Sequence, residues 1–199
     1  NEWYWVKVVY STIFDSDGVP LYALGTSVDV TEEKNAQIRY QEEMNYRKSL
    51  GENIIATHCV NLTKGIVEES KSLIHKVDLP RNSIINNEIF RKICDESIPN
   101  IEERENYYNR FNLVKMLEDY REGITNLEMQ YRAKMANDEL KWVHLRVRLM
   151  KQPDSGDTIA FFNTWDINER KLTNDVINAV VELDYDYLMH INPLYKKFT

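Results

Sequence analysis

The sequence is poor in cysteine, with only Cys59 and Cys94 among its 199 residues. These two have no metal-ligand spacing and cannot build a disulfide framework, so reduced thiols in a cytoplasmic protein are the simplest expectation. Long apolar runs are lacking too. None approaches the roughly 18 residues that a membrane-spanning helix needs, and the first residues do not resemble a signal peptide. We therefore expect no membrane contact in this segment.

Basic residues are fewer than acidic ones: the sequence has 25 Lys and Arg and 32 Asp and Glu, which gives a net charge of −7. This balance disfavours nonspecific binding to nucleic acids, and no nucleic-acid partner is expected. Catalytic signatures are missing, because no GxSxG, P-loop, HExxH, GGDEF or kinase motif occurs. The four histidines have no zinc spacing. We expect neither a metal site nor an enzyme.

What the sequence does contain is an internal repeat. Trp5 and Trp142 lie 137 residues apart, and the same offset separates Asp29 from Asp166. The two segments align without a gap from the tryptophan to a lysine that follows the Asp. In each, an apolar strand runs into an Asp that should start a helix, with a Glu three residues later as in a capping box. We therefore expect both segments to fold alike.

Period-two alternation and turn residues predict seven strands in three groups: 1–14 and 20–30, then 53–62 with a return from residue 66, then 126–135, 139–151 and 158–167. Helical spacing predicts helices over 32–50, 100–122 and 168–184, with short helices around 70–75 and 88–93. The first helix has only a thin apolar stripe, Ala36, Tyr40 and Met44. Such a helix needs a partner helix or a sheet face to be stable.

The hairpin formed by 126–135 and 139–151 can be predicted in more detail. Residues that face each other must lie on the same side of the sheet, so their numbers must have an even sum. That condition excludes a two-residue loop and predicts a loop of three or five residues. Either loop places Glu128 opposite Arg146 or Arg148, a cross-strand ion pair of about 0.2–1 kcal/mol.

The order of these elements resembles the PAS family of sensory domains, of the kind repeated in bacterial GGDEF/EAL proteins and sensor histidine kinases. The residues that carry the resemblance are Gly-x3-Leu-Glu-Met-Gln-Tyr-Arg from Gly123, then Lys-Trp-Val at 141–143, then Asp-Ile-Asn-Glu-Arg-Lys at 166–171. It covers most of 51–172 and about 30 residues at the start. It implies an α+β fold, with a five-stranded antiparallel sheet, helices on one face and flanking helical linkers.

The resemblance also implies a division of the chain. A hairpin over 1–31 would end an incomplete first domain, 32–50 would be a linker helix, and 51–168 a complete domain. A second linker helix would occupy 169–184, and 185–199 would start a further, incomplete domain. Strand edges left open in this way are expected to pair with something, in this chain or in another molecule.

In the family, helices leave the sheet at an Asp-x-Thr motif and carry the signal. Asp29 and Thr31 match this motif, while Asp166 matches it with Asn168 in place of Thr, and Asn is also a good cap. A flavin or haem cofactor is not expected. The positions for flavin-binding amides hold Ala133, Val143 and Thr164, and no histidine lies between residues 76 and 143. No other cofactor is predicted.

Two surfaces of the sheet are candidate sites. The inward-facing set could form a packed core or, alternatively, a small cavity for a metabolite bordered by Tyr131, Thr164 and His58; its members are His58, Met129, Tyr131, Ala133, Val143, Ala160, Phe162 and Thr164. The outward-facing set needs a cover, which a helix of this chain or a partner would supply; its members are Arg132, Trp142, His144, Arg146, Asn163 and Trp165. Arg132 should stack on Trp142.

These patterns favour a non-catalytic regulatory module of a bacterial signalling protein. Its PAS domains and capped helices would relay a conformational signal to an output domain outside this chain, with a homodimer formed through the flanking helices. The alternative is a PAS sensor that binds a specific metabolite inside 51–168.

Overall fold

The computed structural model describes residues 3–49, 54–74, 79–182, 191–192 and 197–198. The described strands are β1 (Val6–Phe14), β2 (Pro20–Asp29), β3 (Ile54–Asn61), β4 (Ile66–Ser72), β5 (Asn126–Lys134), β6 (Leu140–Lys151), β7 (Thr158–Asp166), β8 (Ile191–Asn192) and β9 (Lys197–Phe198). The helices are α1 (Thr31–Lys48), α2 (Asn87–Ser97), α3 (Ile101–Phe111), α4 (Leu113–Arg121) and α5 (Asn168–Glu182).

The centre of the fold is a five-stranded antiparallel sheet in the order β4-β3-β7-β6-β5. This confirms the predicted α+β class and the predicted sheet. One face, which we call the inner face, packs with α2, α3 and α4 around a single apolar core. The other, the outer face, packs against α1.

Strand β7 is buried on both faces. Its successive side chains point to opposite sides of the sheet, and each side is covered by packed residues. Phe162 belongs to the inner core, while Ile159 and Phe161 form an outer cluster with Cys59. Tyr40 and Met44 of α1 pack on this outer cluster. The thin apolar stripe of α1 therefore does use a sheet face, as its pattern requires.

The β5–β6 hairpin has the predicted geometry. Lys134 pairs with Leu140, so the loop holds five residues, and Glu128 lies opposite Arg146. The expected ion pair is not formed among the described residues, because Glu128 Oε2 lies 3.4 Å from His144 Nε2 and Arg148 pairs with Glu43. Asp138 in this loop has a φ of 66°, in the left-handed region that Asp and Asn tolerate better than most residues.

Two helix predictions are wrong. The long helix expected over 100–122 is divided at Asn112, which has extended backbone and whose Oδ1 accepts a hydrogen bond from the Lys115 amide. Asn112 therefore ends α3 and caps α4. The short helix expected over 70–75 is not formed in its described part either. His58 pairs with Ser70 and Ala56 with Ser72, so these residues extend β4, and residue 75 lies outside the described part.

The 137-residue repeat is also a repeat of strand register. Val6 pairs with Asp29 in the β1–β2 hairpin, and Val143 pairs with Asp166 between β6 and β7. Every residue of β1 and β2 is exposed, whereas β6 and β7 lie inside the five-stranded sheet. Of the domain predicted over 185–199, only the β8 and β9 dipeptides are described, and they pair with each other. The rest of that prediction, like residues 183–184 of the second linker, lies outside the described residues.

Candidate functional site

Two hydrogen bonds tie the start of α5 to the start of β6, and a third closes the turn between β7 and α5. Asp166 Oδ1 accepts from the Asn168 amide at 2.9 Å, and Asn168 Oδ1 accepts from the Trp142 amide at 3.3 Å. The Ile167 amide donates to the Trp142 carbonyl oxygen at 3.0 Å. We call Trp142, Asp166 and Asn168 the C-terminal clasp. Because strand and helix share these bonds, the first turn of α5 must follow any displacement of Trp142.

The same arrangement ties α1 to β1. Asp29 Oδ1 accepts from the Thr31 amide at 2.9 Å, and Thr31 Oγ1 accepts from the Trp5 amide at 2.8 Å. The Val30 amide donates to the Trp5 carbonyl oxygen at 2.8 Å. We call Trp5, Asp29 and Thr31 the N-terminal clasp. Hydrogen bonds from Thr31, side chain first and then backbone, lower the pKa of Asp29 below its ordinary value.

The capping box expected at Asp29 is absent. Helix α1 begins at Thr31 and its N-cap is Val30, which has no side-chain cap. Asp29 lies one residue before the cap and accepts from an amide two residues ahead, the local bond that short polar side chains make at turns. Its carboxylate therefore fixes the turn between strand and helix.

Charged groups reinforce the C-terminal clasp. Lys141 Nζ lies 3.0 Å from Asp166 Oδ2, and the hydrogen bond between them raises the pKa of Lys141. Arg132 lies over the Trp142 ring at 5.6 Å from its centroid, as predicted, and Lys171 of α5 lies over the same ring at 5.0 Å. Trp142 thus receives one cation from β5 and one from α5, which adds a side-chain link between sheet and helix.

Helix α1 is held on the outer face by polar contacts as well as by its apolar stripe. Glu43 is only 1% exposed, and its Oε2 lies 2.6 Å from Arg148 Nη1 on β6. Asn163 Nδ2 lies 3.5 Å from the other carboxylate oxygen. One turn later, Arg47 lies over the Phe161 ring and 3.7 Å from Glu69 of β4.

The sequence did not point to Glu43 or Arg47, and it marked Arg148 only as a possible partner of Glu128. A signal was present, because residues 40, 43, 44 and 47 lie on one helix face, so two charges fall inside the apolar stripe.

The other outward-facing residues line a groove beside this docked helix. His144 and Trp165 pair across β6 and β7 with their rings 5.9 Å apart, and Arg146 reaches the Tyr46 ring of α1 at 6.0 Å. Asn163 is buried beneath α1, and in the described part of the chain its Oδ1 has no hydrogen-bond partner. Helix α1 therefore covers the Asn163 side of the outward set and leaves Trp165, His144 and Arg146 partly exposed.

The inner face encloses a cavity of about 60 Å³. Four of the eight inward-facing candidates line it, namely His58, Tyr131, Phe162 and Thr164. Ala133, Val143 and Ala160 are buried in the core without lining the cavity, and Met129 packs against the core from the β5 edge. Pockets for drug-sized ligands commonly have about 300–1,000 Å³. The interior is therefore close to a packed core.

Three polar side chains around the cavity, Cys94, Tyr107 and Tyr131, stay protonated near neutral pH. Burial raises the pKa of the Cys94 thiol to about 12 and holds the pKa values of Tyr107 and Tyr131 above their ordinary range. Ser97 Oγ is buried and has no hydrogen-bond partner among the described residues. The sequence did not point to Cys94, Ser97 or Tyr107, because all three come from the helices, whose facing could not be fixed beforehand.

Metal sites and membrane-spanning helices are two further possibilities for the described part of the chain. No group of three or more His, Cys, Asp or Glu side chains there is placed to hold a metal ion. None of the helices described combines the length and apolar character that crossing a membrane requires. A scan against models of protein families finds no match for this chain, and a search of curated proteins finds none either.

Proposed function

We propose that this chain is a non-catalytic regulatory module of PAS type from a bacterial signalling protein. Its sheet and its two flanking helices would relay a conformational change to an output domain outside this chain. The observation that carries the proposal is the pair of clasps. Two helices leave two strand pairs through the same hydrogen bonds, 137 residues apart, which is the arrangement a repeated mechanical connection needs.

The relay would start at β6. Leu145 of this strand lines the cavity, and three residues earlier Trp142 holds the start of α5 through the C-terminal clasp. A change in interior packing that displaces β6 along its axis would therefore displace α5. For this to act as a switch, two arrangements of helix and sheet must differ by only a few kcal/mol.

Helix α1 supplies such an adjustable contact. It docks through the ion pairs of Glu43 and Arg47 and through a thin apolar stripe that covers the outer cluster. The proposed assembly is a cytoplasmic homodimer through the flanking helices. It is supported by exposed apolar side chains on α5, where Leu172 is 56% and Ile177 is 39% exposed.

The alternative function, capture of a specific metabolite in the interior, has less support. A cavity of about 60 Å³ has room for only a few non-hydrogen atoms, and Phe162 occupies the wall where a ligand would lie. A thermal-shift screen against common metabolites would detect binding, and a dose-dependent rise in unfolding temperature would favour this alternative.

The relay can be tested by amide hydrogen exchange. Leu145→Ala removes a cavity-lining side chain from β6, and the first two turns of α5 should then exchange faster. The matched control is Leu113→Ala, which removes the same atoms from α4, away from the clasps. Equal exchange of α5 in the two variants would contradict the relay.

A further inference from the structure

The β1–β2 hairpin has an edge that nothing in the described chain pairs. All of its strand residues are exposed, including Tyr10 at 73%, Tyr22 at 62% and Leu24 at 60%. An isolated two-stranded hairpin is marginally stable in water, and an open edge is a template for another strand. This surface is therefore incomplete by itself.

The register repeat shows which edge would accept a strand. β1 and β2 correspond to β6 and β7, and the outer neighbour of β7 is β3. The Val30 amide donates to the Trp5 carbonyl oxygen. Along β2, the backbone N–H and C=O groups of every second residue therefore point to β1, and those of the residues between them point to the open edge. The edge-facing residues are Ala23, Gly25 and Ser27. They correspond to Ala160, Phe162 and Thr164, which pair with β3.

The β8–β9 pair has the register of the β3–β4 hairpin. Val60 pairs with Val67 and Asn61 with Ile66, and 131 residues later Ile191 pairs with Phe198 and Asn192 with Lys197. In both hairpins the innermost pair encloses four residues. The β1–β2 hairpin therefore has the register of β6–β7. The β8–β9 hairpin has the register of β3–β4, the hairpin that pairs with β7 in the central sheet.

We propose that β8 of a second copy of this chain adds antiparallel to the open edge of β2. The resulting strand order, β9-β8-β2-β1, would repeat the order β4-β3-β7-β6 of the central sheet. The occupant is a second copy because β1–β2 and β8–β9 form separate two-stranded sheets within one chain. In the central sheet, Val60 of β3 pairs with Ala160 of β7, and Asn61 with Ile159. The 131-residue offset from β3 to β8 and the 137-residue offset from β2 to β7 therefore place Ile191 opposite Ala23 and Asn192 opposite Tyr22. This inference does not depend on the relay function.

Such an interface joins two different surfaces, so each copy can both give and accept a strand. Reciprocal exchange of β8 between two copies would close a dimer, and one-way exchange would continue to larger assemblies as the concentration rises. Light scattering should show an average mass above that of one chain that increases with concentration.

Disulfide trapping tests the contact in the full chain. Ala23→Cys and Ile191→Cys are prepared as separate proteins with different tags, mixed and oxidised. A linked heterodimer is expected, because the paired positions fall within the roughly 4.4–6.8 Å between Cα atoms that a disulfide spans. The matched control mixes Thr12→Cys with Ile191→Cys, since Thr12 corresponds to Leu149 and faces the opposite edge of the hairpin.

Trapping of the Ala23 mixture in clear excess over the Thr12 mixture would support the proposal, and equal trapping would overturn it. The double variant Ala23→Cys/Ile191→Cys, oxidised at high dilution, tests closure within one chain. A disulfide-linked monomer from it, with no heterodimer from the mixture, would also overturn the second-copy contact. Circular dichroism of each variant confirms that the fold is retained before oxidation.

Discussion

The contact between Glu43 and Arg148 should control whether α1 stays docked on the outer face of the sheet. Arg148→Met keeps the unbranched stem of the side chain and removes the guanidinium group, while Glu43 of α1 remains buried, at 1% exposure, between the helix and the sheet. An unpaired buried carboxylate is costly, so the variant should favour separation of α1. Glu43→Gln should have a smaller effect, because Arg148 is 36% exposed and reaches water by itself.

The expected magnitude follows from the burial of this pair. Removing one partner of a buried ion pair costs about 3–5 kcal/mol, and the partial exposure of Arg148 places this pair near the lower limit. About 3 kcal/mol corresponds to roughly a 100-fold change in the equilibrium between docked and separated α1. Because α1 packs on the outer cluster and not in the inner core, this change should appear as separation of the helix and not as global unfolding.

Thiol labelling measures the separation directly. Cys59 is 4% exposed in the outer cluster on which α1 packs, and burial raises its pKa to about 12. It should react with a thiol reagent only when α1 leaves. Cys94 in the inner core has a pKa raised to about 12 as well and serves as an internal control for unfolding.

Arg148→Met should therefore accelerate labelling of Cys59 by roughly 100-fold and leave Cys94 unchanged. The double variant Glu43→Gln/Arg148→Met should recover most of the protection, since it leaves no unpaired charge. Unchanged labelling of Cys59 in Arg148→Met, or equal acceleration of both cysteines, would refute the reasoning.

Three further perturbations give independent tests. Asn168→Ala should lower the free energy of unfolding by about 0.5–1.5 kcal/mol because the C-terminal clasp loses a hydrogen bond; Asn168→Thr should lose less in urea titrations, since Thr31 makes the same bond at the N-terminal clasp. Lys64 lowers the pKa of Asp157 to about 2, so this carboxylate stabilises the fold above its ordinary pKa of 3.8 and loses that effect as the pH falls through about 2. Asp157→Asn should thus lose less stability than the parent between pH 4 and pH 2, measured by urea unfolding at both values. Ser97→Ala removes a buried hydroxyl without a partner, so its denaturation midpoint should equal or exceed that of the parent.

Strand alternation made the individual strands predictable, whereas the five-stranded sheet was expected from the resemblance. The even-sum condition limited the β5–β6 loop to three or five residues, and the 137-residue repeat placed Asp29 and Asp166 at equivalent strand ends. The break at Asn112 could not be inferred in the same way. Apolar spacing continues through this residue, and only its local side-chain bond to the backbone divides the helix.

The candidate site was only partly predictable for a related reason. Thr31 and Asn168 were marked by their motif, but their bonds to strands β1 and β6 depend on a turn of two residues whose geometry is local. The contact between Glu43 and Arg148 joins residues 105 positions apart. No local pattern specifies which sheet face a helix will cover. The cavity volume likewise depends on side-chain packing between α2 and the sheet.

The most direct test of the relay measures energetic coupling between the sheet and α5. Amide exchange in the first two turns of α5 is compared in four proteins: the parent, Leu145→Ala, Asn168→Ala and the double variant. If the C-terminal clasp transmits the displacement, Leu145→Ala accelerates exchange in the parent background and has much less effect when Asn168 is already replaced. Equal acceleration in both backgrounds would show that the clasp does not connect the interior to the helix, and would contradict the proposed function.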